Sequence, residues 1–260
     1  MRPSAFLSSL SVLACLIATP ACTTVNPTST TTAAPADAGF AFKTQPVDLN
    51  FRCEGQTKNQ CASFKVELLD SNNAWANQWI NGKVTGDSAN PMAGLERRAH
   101  LIGKESAESV RVGSPPYETI VQLKDMGTHR QLTQVQMIEY AYTGGAHGMT
   151  VTSNYLLDTQ AQQVVSLNEM VESGKMDALT DLLMQQYEIN AKTKLGNTTP
   201  QQLKEYFASW PFSMTDNVRF TPQGLAFDYQ PYDLAAYAYG LQTLTVPHAQ
   251  LKGILKPEFL

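Results

Sequence analysis

The side chains best placed to do chemistry lie in Tyr140-Ala141-Tyr142-Thr143-Gly144-Gly145-Ala146-His147-Gly148-Met149-Thr150, near the middle of a 260-residue chain. Three glycines in five residues around a single histidine make a poor helix or strand. Glycine loses the most conformational entropy on ordering, so such a cluster marks backbone that turns with positive φ or approaches another surface closely. Two uses are open. In one, the segment is a tight strand-to-strand turn whose histidine caps a backbone group. In the other, it is a ligand-facing loop on which Tyr140, Tyr142, Thr143, Gly144, Gly145, His147 and Gly148 meet a partner.

A second recognition surface is offered by the stretch from Tyr229 to Gly240, which carries Tyr232, Tyr237 and Tyr239. Tyrosine supplies a large contact area at small entropic cost and keeps a hydroxyl for hydrogen bonding. The same rings can pack a long loop onto a sheet, and the two roles can coexist.

Catalytic signatures are missing. There is no G-x-S-x-G elbow, no P-loop and no dinucleotide-binding G-x-G-x-x-G. His100, His129, His147 and His248 are scattered without an H-x-x-x-H pair, so neither a zinc hydrolase nor any metal or cofactor is indicated. Carboxylates such as Asp228 and Asp233 are present, but a glycosidase needs two at a defined separation, which spacing in sequence does not supply. The expectation is a non-catalytic binding module, with an envelope hydrolase working through the loop around His147 as the alternative.

These residues need elements to hold them. Phe64, Val66 and Leu68 alternate with polar neighbours, as do Tyr117, Thr119, Val121 and Leu123, which predicts half-buried strands. Residues 132–142 lead into the glycine cluster as a strand and 151–158 leave it as another, followed by a short strand at Val164-Val165. Helices are predicted over 74–84, where Trp75 and Trp79 read as core residues with a sugar platform as the other use of the pair, and over 91–110. Ser166-Leu167-Asn168-Glu169 has capping-box spacing and opens a helix running to about Leu195; Thr199-Pro200 starts another. A hairpin follows over 218–229 around Pro222-Gln223-Gly224, then a strand at 244–246 and a last helix over 247–255. Strands interrupted by grouped helices give an α+β fold, an antiparallel sheet packed by helices, with one large core or two small modules.

The N-terminus reads as an export signal. A single arginine precedes an apolar run from Ala5 to Ala18, too short to span a bilayer. Ala21-Cys22 at its end resembles a lipoprotein processing site, with residues 1–21 removed and Cys22 carrying the lipid; secretion after Ala21 without lipid is the alternative. Thr23 after that cysteine suits the outer membrane, facing the periplasm. Residues 22–39, rich in Thr, Ala and Pro, read as a disordered tether. Cys15 leaves with the signal, so Cys53 and Cys61 remain, and an oxidising compartment favours pairing them. A loop this short would stabilise the fold by roughly 2.5 kcal/mol. The net charge is -4, and loss of Arg2 with the signal leaves -5. That balance argues against nucleic acid and for a basic partner.

Two segments carry a resemblance. MIEYAYTGGAHGMTVTSNYLLD and FTPQGLAFDYQPYDLAAYAYGLQTLTVPHAQL, in that order, resemble the two signatures of the RsiV-type extracytoplasmic domain family, bacterial domains of unknown function. The resemblance is close over about residues 130–256 and weaker over 40–125, which implies an N-terminal module at 40–128 and the RsiV-like domain at 129–260. Family members include the lysozyme-binding outer part of the anti-sigma factor RsiV and a module preceding the catalytic domain of the peptidoglycan deacetylase PdaC. The resemblance implies a lysozyme-like protein or peptidoglycan as partner. It implies no single activity, because members share a fold more than a function.

Overall fold

The computed structural model describes residues 39–52 and 60–260. The expected signal segment, Cys22, nearly all of the tether and Cys53 lie outside the described residues. The alternating runs assemble into a six-stranded sheet in chain order: β1 (Thr44–Arg52), β2 (Gln60–Leu69), β3 (Tyr117–His129), β4 (Leu132–Tyr142), β5 (Met149–Asp158) and β6 (Gln163–Val164). All neighbours are antiparallel except β2 and β3, which run parallel. A parallel pair needs a long crossover, and α1 (Ala74–Thr85) with α2 (Pro91–Arg111) supplies it. Asn73 caps α1 by accepting the Ala76 N–H, and Asn90 with Pro91 opens α2. The fold is α+β, with one parallel step that alternation alone does not reveal.

Residues that alternate along a strand reach opposite faces of the sheet, and here both faces are used. Phe64, Val66, Val121, Leu123, Val135 and Leu157 pack against Ile80, Val84, Leu95 and Ala99 of α1 and α2. Trp75 and Trp79 pack on that cluster, in keeping with their helical spacing. Leu132 and Leu156 point the other way, into a second core. That core is completed by α4 (Met176–Leu195) and by a three-stranded antiparallel sheet of β7 (Val218–Thr221), β8 (Gly224–Tyr229) and β9 (Gln242–Pro247). The partition at 128/129 falls at the end of β3, and the sheet continues across it. Val135 and Leu157, from beyond that point, complete the core built on α1 and α2.

The helix expected from Ser166 to Leu195 divides in two. Ser166 and Glu169 do form a capping box, but it serves the one-turn α3 (Leu167–Met170). Val171 then bridges to Leu255, and Gly174 at φ 72° turns the chain into α4. The box at Thr199 and Gln202 opens α5 (Pro200–Ser209) as expected. The last helix shortens to α6 (His248–Leu251). Strand β1 is absent from the expectations above although Val47, Leu49 and Phe51 alternate with Asp48, Asn50 and Arg52; it pairs antiparallel with β2.

Candidate functional site

The glycine cluster is the turn of the β4–β5 hairpin. Pairing of Tyr140 with Thr150 and of Ala141 with Met149 leaves the residues between them to reverse the chain. Gly144 and Gly145 sit at φ 91° and 93°, a region that side chains rarely enter, which explains two of the three glycines. The Tyr142 hydroxyl donates to the Gly145 carbonyl at 3.0 Å and ties the turn across itself. Gly148 has a different reason. Its Cα lies against the Tyr140 ring, and a β-carbon there would collide with that ring.

The tyrosine-rich segment is fastened along its length. The Gln230 amide takes the Thr152 N–H at 2.9 Å and donates to the Thr152 carbonyl at 2.7 Å, matching the peptide group of β5. Leu234 and Ala235 are buried, and the Leu234 carbonyl accepts from Tyr206 of α5 at 2.6 Å. Farther on, the Tyr237 hydroxyl donates to the Gly148 carbonyl at 2.8 Å, while its ring stacks on His147 with centroids 4.0 Å apart and planes 17° from parallel. Tyr232 adds a third ring, 5.6 Å from that of Tyr237. It sits at φ 76°, a costly conformation for a side-chain-bearing residue, held by Asp233, whose carboxylate takes the Gln230 N–H.

The structure therefore brings together His147, Gly148, Tyr140, Tyr232 and Tyr237 from segments about 90 positions apart. Tyr142 works within the turn, and Thr143 is exposed on it. Tyr239 points elsewhere: it is half exposed, and its ring lies 5.8 Å from the Lys194 ammonium of α4. Cys61 is buried and disulfide-bonded; Cys53 and Cys22 lie outside the described residues.

The side chains of this face supply hydrogen bonds and ring contacts. His147 Nδ1 lies 2.9 Å from the Gly148 carbonyl, which can only accept, so Nδ1 carries a proton and donates it there. The Tyr237 hydroxyl is committed to the same carbonyl. A nucleophile–base pair needs a hydroxyl, thiol or carboxylate against the imidazole, and the partners of His147 are a backbone oxygen and an aromatic ring. The carboxylate of Asp228 is buried and surrounded by donors, whereas Asp233 is exposed and caps its own turn. Among the described residues, no group of three or more His, Cys, Asp or Glu could hold a metal ion, and no helix is long and apolar enough to cross a membrane.

Sequence reasoning missed the amides that fix these loops. Gln134 in β4 exchanges two hydrogen bonds with the Phe220 backbone of β7. Asn217 accepts the Asn154 N–H at 2.7 Å and donates to the carbonyls of Thr152 and Asp228. With Gln230, they join the two sheets through side chains that imitate peptide groups. The one visible signal was Gln134 and Gln136 on the same strand face as buried Leu132.

Residues 168–249 match the family described as "Protein of unknown function (DUF3298)". Two solved structures resemble the chain. A DUF3298 family protein from Pseudomonas aeruginosa PAO1 shares 23% identity at a TM-score of 0.65, over 86% of this chain and 98% of that one. A DUF3298 family member from Bacteroides fragilis NCTC 9343 shares 19% identity at a TM-score of 0.69, over 85% and 95%. At these identities the likeness is one of fold. No curated protein matches the chain.

Proposed function

We propose that this protein is a non-catalytic, RsiV-type binding module of the bacterial cell envelope, held to a membrane by lipid on Cys22, which recognises a lysozyme-type muramidase. One observation carries the reading: the stack of His147, Tyr237 and Tyr232, exposed at its Tyr232 end and locked through the Gly148 carbonyl. A face of rings whose polar groups already hold the backbone is pre-organised, so little ordering entropy is lost when a partner covers it. Tyrosine and histidine at such a face suit a protein surface, and the chain's charge of -4 favours a basic partner. The matched family and the two solved relatives are consistent with this assignment and carry no function of their own.

Calorimetry of the full chain against a lysozyme and against soluble peptidoglycan fragments, at two salt concentrations, tests the proposal. Lysozyme should bind, more weakly at high salt because charge attraction is screened. His147→Ala and Tyr237→Ala should each weaken it by roughly tenfold while circular dichroism stays native, as expected for aromatic anchors. Binding to peptidoglycan alone would replace the protein partner with the wall. Turnover of the fragments, or silence with both, would end the binding-module reading.

A further inference from the structure

Along the outer margin of β5 the peptide groups are held one after another, with an interruption at Thr150. In an antiparallel pair, residues that bond the neighbouring strand alternate with residues whose N–H and C=O turn away from it. Thr152, Asn154 and Leu156 turn away from β4, because Gln230, Asn217 and the Val165 N–H meet their peptide groups from the other side. The β4–β5 register is unbroken from Met149 to Asp158, so Thr150 turns its N–H and C=O the same way. Among the described residues, none takes either group. On the near side of Thr150, the Gly148 carbonyl already accepts from the Tyr237 hydroxyl at 2.8 Å and from His147 Nδ1 at 2.9 Å. His147 and Val151 are exposed, so this stretch of margin reaches solvent.

We propose that the Thr150 peptide edge, beside Tyr237, docks the side-chain carboxamide of an Asn or Gln on the protein partner. The inference rests on the binding reading above and names the chemistry of its contact. The chain shows what completes such an edge: one carboxamide accepts the N–H and donates to the C=O of a single residue at Leu69 from Asn81, at Phe220 from Gln134 and at Thr152 from Gln230. Other groups fit less well. A carboxylate only accepts and would face the Thr150 carbonyl oxygen; an ammonium or guanidinium only donates and would leave the N–H unmet. A secondary amide is trans, with N–H and C=O on opposite sides, so a peptide link or an acetamido group meets one of the two. A whole strand from a partner would also need the groups at 148 and 152, which Tyr237, His147 and Gln230 hold. A single carboxamide uses only the edge at Thr150.

Nitrogen-15 NMR of the full chain tests the proposal without any protein partner. The Thr150 amide should exchange with water faster than that of Thr152, and equal protection of the two would overturn the idea. Titration with benzamide, a primary carboxamide, should move the Thr150 amide signal, whereas N-methylbenzamide and benzoate should leave it in place. No shift with benzamide, or an equal shift with either control, would also overturn it. A lysozyme then tests the contact in a complex. Thr150→Pro removes the outward N–H from a margin where proline is tolerated, and should weaken binding by roughly tenfold with native circular dichroism, the scale of one or two hydrogen bonds. Thr150→Ala keeps the backbone groups and should stay within about twofold. Full affinity in a folded Thr150→Pro variant refutes the docking; should that variant misfold, the benzamide titration decides. Lysozyme silence with the unaltered chain ends the partner assignment above, and the same titration still decides whether Thr150 takes a carboxamide.

Discussion

Replacing Asp228 should do more damage than its place on a short central strand would indicate. Its side chain is fully buried, and each carboxylate oxygen accepts from donors on other strands. Oδ2 takes Asn154 of β5 at 2.8 Å and the Nε of Arg219 in β7 at 2.9 Å; Oδ1 takes the Thr243 hydroxyl of β9 at 2.6 Å. The group thus ties all three strands of the small sheet to the large one. Asp228→Asn keeps the shape but turns one acceptor into a donor facing donors. With one or two donors orphaned at about 1–3 kcal/mol each, the expected loss is about 3 kcal/mol. Asp228→Ala, which leaves Arg219 without its anion, should cost about 3–5 kcal/mol. For a body of this size, roughly 2–4 °C per kcal/mol, 3 kcal/mol lowers Tm by roughly 6–12 °C. Urea unfolding followed by circular dichroism measures it, and the midpoint should fall without a change in slope. A double-mutant cycle with Arg219→Met and Asp228→Leu sharpens the test. The pair should cost less than the sum of the single changes by about 1 kcal/mol or more. An Asp228→Asn loss below about 1 kcal/mol, or simple additivity in the cycle, would refute the network as a clamp.

Gly148→Ala should displace the Tyr140 ring and cost about 1–3 kcal/mol, with changed Tyr140 ring signals in NMR as the check; Gly145→Ala has open space around it but is strained by its φ of 93°, so it should cost stability without moving that ring. His129 gives a pH dependence. Burial, followed in lesser degree by nearby His248 and Arg130, holds its imidazole below the ordinary histidine range, against the opposing pull of its hydrogen bond to the Phe259 carbonyl. The fold favours the neutral ring, so its contribution is complete above a pH of about 6.5 and is lost as pH falls through the lowered value. Tm should therefore drop between pH 7.5 and 5, and His129→Gln should flatten that drop.

Much of the fold was legible because it rests on local rules. Alternation in Tyr117–Leu123 and in the flanks of the glycine cluster placed three sheet strands, and the Thr199–Gln202 box marked the start of a helix. The misreadings share a cause in distant contacts. The helix from Ser166 stops because Val171 pairs with Leu255, 84 positions on, and the parallel β2–β3 step depends on a crossover. The candidate site was half legible. Glycine spacing and tyrosine density identified both loops, and Gly148 even has the reason expected of such a residue, a close approach. What joins them is tertiary: nothing in local spacing says that the Tyr237 hydroxyl reaches the Gly148 carbonyl. Asp228 and Asp233, noted together as carboxylates, turn out to do unrelated structural work.

The borrowed amides on β5 bear on behaviour at high concentration. A strand margin with free N–H and C=O groups is a template on which another chain can crystallise into cross-β order. At Thr152 and Asn154 that template is filled within the molecule, by Gln230 and Asn217, without adding a strand that would itself have an outer margin. At the N–H and C=O of Thr152 and the N–H of Asn154 the sheet ends in side chains, which cannot propagate a ladder, so those groups are already spoken for when another copy of the chain comes near.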